Sequence, residues 1–271
     1  MRGTLAIGGM LLCLGGSADA RDPRSKVVPE DPPPWQLRPL QVRIDVVRTL
    51  LEQGSAQRAL ELLAAFKAEG IDSPDLDLLQ GIALRETGMN DQAEQVLLKA
   101  RSQLGRDSRP NAELCVLYAD AKRVDEAIDS CDRAVGLDRS SPRAWNNYGW
   151  MLLAANRPAD ALEAFDQAIH LDGSQERYRN NLAFAQVALD QLAEAERTFR
   201  TTGSHADAAY NVGVALLQGG RRDDARSWFR SALAYDPTHE PAREALDTET
   251  PPSLDDDAAH PTGIGPSEES P

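Results

Sequence analysis

The chain has 271 residues and a net charge of −14, with 41% hydrophobic, 27% charged and only 5% aromatic residues. Because so acidic a chain repels phosphate groups, nucleic-acid binding and direct adhesion to anionic lipid are disfavoured. Beyond the N-terminus the sequence holds no apolar run of about 18 residues, so no internal membrane span is expected.

The first 20 residues are typical of a secretory signal peptide. Arg2 gives a positive start, Thr4–Leu14 is apolar, and the Ala-Asp-Ala sequence at 18–20 offers a small-residue cleavage site. Cleavage there predicts an exported, periplasmic protein. Cys13 leaves open a lipoprotein signal, in which this cysteine is lipidated and anchors the protein in the outer membrane. An uncleaved anchor is the third alternative.

Residues 21–39 follow as a proline-rich segment without periodic apolar positions. This composition predicts an extended linker of polyproline type. Trp35 is the one aromatic residue in it, and it either caps the first folded element or belongs to the linker alone.

From residue 40 onwards one alanine recurs, first at steps of 34 residues and last at a step of 30: Ala59, Ala93, Ala127, Ala161, Ala195 and Ala225. A small or compact residue precedes each alanine by twelve positions, and a large residue or a cysteine follows it by four. This register predicts two closely packed antiparallel helices in each unit. The units are expected at 40–73, 74–107, 108–141, 142–175, 176–205 and 206–239.

Within the fourth unit, Ala-Trp-Asn-Asn-Tyr-Gly at 144–149, followed by Ala161, Phe165 and Ala168, resembles the tetratricopeptide repeat (TPR) signature. The resemblance implies an all-α fold, a superhelical TPR solenoid of about six helix–turn–helix repeats over 40–247. Residues 240–246 are expected to begin a C-terminal capping helix, because the last repeat needs a polar outer face.

The turn between the two helices of each unit also repeats. Glycine, asparagine or aspartate tolerates the left-handed backbone that ends a helix. Five of the six turns carry one of these residues, and Lys122 is the exception: Gly54, Gly88, Lys122, Asn156, Asp190 and Gly220.

Removal of residues 1–20 would leave two cysteines, Cys115 and Cys131, both in the third unit. Their positions lie on facing sides of the helix pair, and an oxidising compartment would join them in a disulfide. The alternative is that both are small buried core residues.

The end of the chain has a different composition. Residues 247–271 hold seven acidic residues and no lysine or arginine. The segment 248–271 is also rich in proline, glycine and serine, and it is predicted to be an acidic disordered tail.

The sequence contains no recognisable catalytic or metal-binding motif. His170, His205, His239 and His260 have no further ligand at metal-binding spacing, no Cys-x-x-Cys is present, and no glycine-rich phosphate loop occurs. We therefore expect no enzyme activity, no metal and no cofactor.

In the TPR family the second, fifth, ninth, twelfth and thirteenth positions of the first helix usually point into the concave face. The resemblance thus implies a partner-binding groove in units four to six, with an extended peptide or protein as its occupant. The alternative is that Trp150 and Phe184 pack into the core or against a second copy. The predicted groove residues are Arg143, Asn146, Trp150, Leu153, Arg177, Asn180, Phe184, Val187, Tyr210, Val214 and Leu217.

Three short stretches extend the resemblance to two groups of TPR proteins. Asn-Tyr-Gly-Trp at 147–150 is similar to TPR proteins that help assemble type IV pilus secretins, and the stretches 180–183 and 210–213 are similar to TPR proteins of tight-adherence (Flp) pilus systems. These likenesses imply a periplasmic scaffold or adaptor that binds a protein partner during assembly of a pilus, secretin or other envelope complex. A self-associating structural protein and an outer-membrane, pilotin-like lipoprotein are the alternatives.

Overall fold

The computed structural model describes residues 40–247, the range expected to form the repeat array. Thirteen helices and no strands occur within this range. None of these helices has the length and apolar character needed to cross a membrane. The helices are α1 Leu40–Glu52, α2 Ala56–Ala68, α3 Pro74–Glu86, α4 Asn90–Leu104, α5 Arg109–Asp120, α6 Val124–Leu137, α7 Pro142–Ala154, α8 Pro158–Leu171, α9 Glu176–Ala188, α10 Leu192–Phe199, α11 His205–Gln218, α12 Arg222–Tyr235 and α13 Glu240–Asp247.

The first twelve helices form six helix–turn–helix units, and α13 packs on α12 at the C-terminal end of the array. Within each unit the odd-numbered helix packs against the even-numbered one that follows it. Neighbouring odd-numbered helices also contact one another from α1 to α11, which makes them the inner layer of the superhelix. The predicted all-α repeat solenoid is confirmed.

Units two, four and six are each closed by one facing pair of residues, a glycine on the first helix and a large residue on the second. A Cβ atom added at Gly149 would lie 2.6 Å from the Phe165 ring, and one added at Gly213 would lie 2.5 Å from the Phe229 ring. Gly81 faces Leu97 in the same way, at 2.5 Å. The helices can approach this closely only because the glycines have no side chain.

The third unit replaces this small–large pair with a disulfide. Cys115 and Cys131 occupy the positions equivalent to Gly149 and Phe165, and they are bonded, with a Cα–Cα distance of 5.0 Å. Both are buried. The bond predicted from the sequence is therefore present in the structure.

All six turn residues adopt a left-handed backbone, with φ between +57° and +77°. Lys122, the one turn residue that is not glycine, asparagine or aspartate, has a φ of +58°. Its backbone bonds match those of the other turns: the Arg123 N–H donates to the Tyr118 carbonyl across the turn, as the Arg157 N–H does to the Leu152 carbonyl in the next unit. The shared turn geometry thus overrides the preference of the lysine side chain.

Ion pairs link neighbouring units through these turns. Arg123 donates to Glu94 of the preceding unit at 2.7 Å, and the Tyr118 hydroxyl donates to the same carboxylate at 2.9 Å. Arg221 likewise reaches Asp190 at 2.7 Å. The fifth unit is shorter than its neighbours because its second helix, α10, has only eight residues, compared with 14 in α8 and α12.

The capping helix α13 is amphipathic and buries Ala242 and Ala245. His239 holds its start, because the Ala242 N–H donates to the imidazole Nδ1 at 3.1 Å while Nε2 lies 3.2 Å from Asp207. The predicted signal peptide 1–20 with Cys13, the linker 21–39 and the tail 248–271 all lie outside the described residues.

Candidate partner-binding face

The side chains of the inner helices converge on one surface, which we call the inner face. Ion pairs between these helices show this: Arg85 on α3 lies 3.1 Å from Glu113 on α5, and Glu113 lies 3.6 Å from Arg143 on α7. Three successive first helices therefore present charged groups to the same side. The eleven residues predicted for the groove lie on α7, α9 and α11.

Trp150 is the centre of an aromatic chain that runs from unit four to unit five. Its ring meets Phe165 edge-on at 6.2 Å and Phe184 at a tilt at 5.8 Å, and Phe184 meets Phe199 edge-on at 5.7 Å. Such edge-on and tilted contacts are favourable arrangements for aromatic rings. Phe184 is covered on both sides, whereas Trp150 remains partly exposed.

Two buried asparagines fix the polar end of Trp150. In one orientation of its amide, Asn181 donates to the Asn146 oxygen at 2.6 Å, but the Asn181 oxygen then faces only acceptors. With the Asn181 amide reversed, its oxygen accepts from the Trp150 indole N–H at 2.9 Å and its nitrogen donates to the Arg177 carbonyl at 3.2 Å. The Asn146 atom 2.6 Å from the Asn181 oxygen must then be the Asn146 amide nitrogen, so the Asn146 amide is reversed as well. We adopt the reversed orientation, because buried polar atoms are normally paired.

The other polar residues of the predicted groove are also anchored. The Thr202 hydroxyl donates to Asn180 at 2.8 Å, Arg143 lies 3.6 Å from Glu113, and the Arg177 guanidinium lies over the Tyr178 ring at 5.2 Å. Pre-positioned polar groups lose little freedom when a ligand binds.

The eleven predicted residues therefore fall into two groups. Arg143, Trp150, Leu153, Arg177, Asn180, Tyr210 and Leu217 are partly exposed. Asn146, Phe184, Val187 and Val214 are buried. The last three of these pack in the core shared by units five and six, so they support the face from behind and offer a ligand almost no surface.

The structure also reveals a charged part of the inner face that the sequence analysis did not single out. Arg85 lies 3.1 Å from Glu113, which in turn lies 3.6 Å from Arg143. Glu86 and Asp120 occupy the thirteenth helix position in units two and three, where units four and five carry alanine. Applying the same register to the early units would have found them.

Burial within the concave face raises the pKa of the Glu86 carboxyl, and the negative charge of Glu113 adds to this effect against the opposing influence of Arg85 and Arg143. Burial likewise raises the pKa of Asp120. Both side chains nevertheless stay exposed to water, as expected for groups on a concave surface. The inner face thus has a charged half in units two and three and an apolar, aromatic half in units four to six.

No cluster of three or more potential metal ligands occurs among residues 40–247. The features that do occur are a repeated helix pair, a continuous inner layer and a concave face with anchored aromatic and polar groups. Together they define a scaffold for protein–protein interaction. The family comparison agrees: the tetratricopeptide repeat family matches residues 78–142, 116–176 and 173–240, and the chain belongs to that family.

Three solved structures are similar in fold to this chain. PilF of Pseudomonas aeruginosa has a TM-score of 0.57 at 19% identity, covering 76% of this chain and 96% of its own. YrrB, described as a TPR protein with an unusual peptide-binding site, has a TM-score of 0.53 at 20% identity, covering 68% and 97%. MamA has a TM-score of 0.51 at 21% identity, covering 67% and 98%.

At these identities the likeness establishes the fold alone. Among curated proteins, none matches this chain.

Proposed function

We propose that this protein is an exported scaffold that binds a protein or peptide partner of the cell envelope on the inner face of units four to six. The observation that carries the proposal is the setting of Trp150. Its ring is partly exposed, but two aromatic rings and one hydrogen bond from its indole N–H hold it in place. A rigid, partly exposed tryptophan is typical of residues that dominate binding energy.

An extended peptide suits this surface. Asn180 and Arg177 lie on α9, which contacts the Trp150 helix α7, and they provide hydrogen-bonding groups for a peptide backbone or carboxylate. The likeness to YrrB, a TPR protein with a peptide-binding site, supports a peptide as ligand, and the likeness to PilF supports a role in the assembly of a pilus or secretin.

The binding test is site-specific photo-crosslinking in the native host, followed by an affinity measurement with the captured partner. A photoreactive residue at Asn180 or Leu217 should capture one partner, and the same residue at the outer Ser227 should not. Trp150→Ala should then weaken binding by roughly tenfold or more. Trp228→Ala, on the second helix of unit six, serves as the matched control. Unchanged affinity of the Trp150 variant would reject the proposed face.

The choice of Trp150 alone follows from the burial of Phe184. A Phe184→Ala substitution would open a cavity beside Phe199 and destabilise the fold by roughly 3–5 kcal/mol. Loss of binding in such a variant could not be assigned to the surface. Far-UV circular dichroism should show that Trp150→Ala keeps its helix content.

A periplasmic location is the second part of the proposal. The signal-like N-terminus and the Cys115–Cys131 disulfide support it, because disulfides persist in oxidising compartments. Intact mass of protein from the native envelope tests it. A chain starting at Arg21 supports a soluble periplasmic protein, an acylated chain starting at Cys13 supports the lipoprotein alternative, and an unprocessed chain with free thiols would reject export.

Self-association is the second candidate function, and one observation favours it. Leu137, Leu171 and Tyr235 occupy the same position in units three, four and six and are exposed by 41%, 39% and 55%. A repeated row of exposed apolar side chains suits a contact between copies. Light scattering at tens of micromolar protein measures the molar mass in solution, and a monomeric mass would reject self-association.

A further inference from the structure

The last full helix, α12, carries a row of three arginines that we call the arginine stripe: Arg222, Arg226 and Arg230. Residues four apart lie on one side of a helix, so the three guanidinium groups share a face about 12 Å long. All three are exposed, and none forms an ion pair with any residue of the described range. No other helix in that range has three basic residues at this spacing.

The stripe differs from the arginines at the N-caps of the second helices α6, α8 and α12. Arg123, Arg157 and Arg221 each pair with an acid three residues later in the chain, at 2.9, 2.6 and 2.7 Å. On the stripe only Asp223 shares the exposed face, against three arginines, because Asp224 is engaged by Arg221. Like charges four residues apart destabilise a helix, and an external anion would relieve them.

The chain itself supplies such an anion. Residues 248–271 contain six acidic residues and no lysine or arginine, and Asp255, Asp256 and Asp257 stand together. This segment leaves the array from α13, which packs on α12. Because α13 runs back about 12 Å from the turn at 236–239, its end lies near the level of Arg226 and Arg230.

We propose that the acidic segment 248–271 binds the arginine stripe of its own molecule. Asp255 lies eight positions after Asp247, and at about 3.3 Å per position this stretch spans up to roughly 26 Å, more than twice the length of the stripe. The covalent connection gives the acids a high effective concentration at the stripe. Exposed ion pairs are individually weak and screened by salt, so the contact is reversible and sensitive to ionic strength. This inference is independent of the proposed partner binding on the inner face.

Zero-length crosslinking tests it in the full chain. Arg226→Lys keeps the positive charge and provides an amine that a carbodiimide can couple to a carboxylate, forming an amide with loss of water. Arg58→Lys, on α2 at the other end of the array, is the matched control: it is exposed and likewise forms no ion pair within the described residues. An equal mixture of ¹⁴N- and ¹⁵N-labelled protein distinguishes links within one molecule from links between molecules.

We expect peptide links between 255–257 and position 226 within single molecules, with a yield that falls roughly tenfold at about 0.5 M NaCl. Arg230→Lys should give the same result, so that the test does not depend on one variant. Asp255→Asn/Asp256→Asn/Asp257→Asn should remove these links. Equal yields at positions 58 and 226, links only between ¹⁴N and ¹⁵N molecules, or no link at either stripe position would overturn the proposal.

Discussion

Replacing Gly149 with alanine tests the close helix approach on which each repeat depends. The new methyl carbon would lie 2.6, 2.7 and 2.9 Å from three atoms of the Phe165 ring. These distances are well below the usual carbon–carbon contact of about 3.5–4.0 Å. Phe165 is completely buried, so its ring has no free volume into which to move. The helices must separate, or the ring must leave its rotamer.

The expected change in the free energy of unfolding is the sum of two opposing contributions. Overpacking a dense core costs about 1–3 kcal/mol, and a contact this short belongs at the upper end. Alanine in a helix interior is favoured over glycine by about 1 kcal/mol. We therefore expect a net destabilisation of about 2 kcal/mol, which in a domain of this size lowers the melting temperature by roughly 4–8 °C.

The assay is urea unfolding followed by far-UV circular dichroism, with Gly136→Ala as the matched control. Gly136 lies in α6 with nothing within 4 Å of an added Cβ, so its substitution should stabilise by up to about 1 kcal/mol. Phe165→Leu should partly rescue the Gly149 variant, with a coupling energy of about 1–3 kcal/mol. If both glycine substitutions stabilise the protein equally, the reasoning from close approach is refuted.

Further predictions concern the disulfide, one turn and one interrepeat carboxylate. Replacing Cys115 and Cys131 together with alanine should lower the free energy of unfolding by about 3 kcal/mol, and reductant should abolish the difference from the wild type; equal stability without reductant would contradict this. Lys122→Gly should raise the free energy of unfolding by about 0.5–1 kcal/mol, because glycine enters the left-handed region without strain. Lys122→Ala should not raise it, and thermal unfolding of both variants measures the difference. The hydrogen bonds from Arg123, and secondarily from Tyr118, hold the pKa of the Glu94 carboxyl below its usual value. Glu94 therefore adds stability above the unfolded-state pKa, about 4.3, and this is lost as the pH falls through the lower folded pKa. Stability curves of wild type and Glu94→Gln should accordingly differ at pH 7 and converge near pH 2; a constant gap would show that the pair has no titrating contribution.

The architecture could be predicted because close packing of the two helices requires residues of particular sizes at the same positions of successive repeats. A small residue faces a large one in units two, four and six, so pairs such as Gly149 and Phe165 reveal the register, and Cys115 and Cys131 take the equivalent positions in the third unit. Lys122 departs from the residue types that favour its turn. Local preference disfavours a left-handed lysine, but six equivalent turns require one geometry and tertiary structure decides.

The inner face was only partly predictable. Repeat position indicates the side of a helix, but exposure depends on what the neighbouring unit places there. Trp150 and Phe184 share one repeat position, yet Phe184 is covered by Trp150 and Phe199. The hydrogen bond between Trp150 and Asn181 joins two units, and no spacing within one unit encodes it. The charged residues on the inner face of the early units were not predicted, because the expected binding face was defined by its apolar positions.

The disulfide of the third unit also changes what a cut in the backbone does to the molecule. A protease that cleaves the exposed turn between α5 and α6, at Lys122, severs the chain between two cysteines that remain bonded to each other. The two fragments then stay covalently connected, and they separate on a denaturing gel only after reduction. A nick that would divide an ordinary repeat array in two leaves this one as a single, two-chain particle.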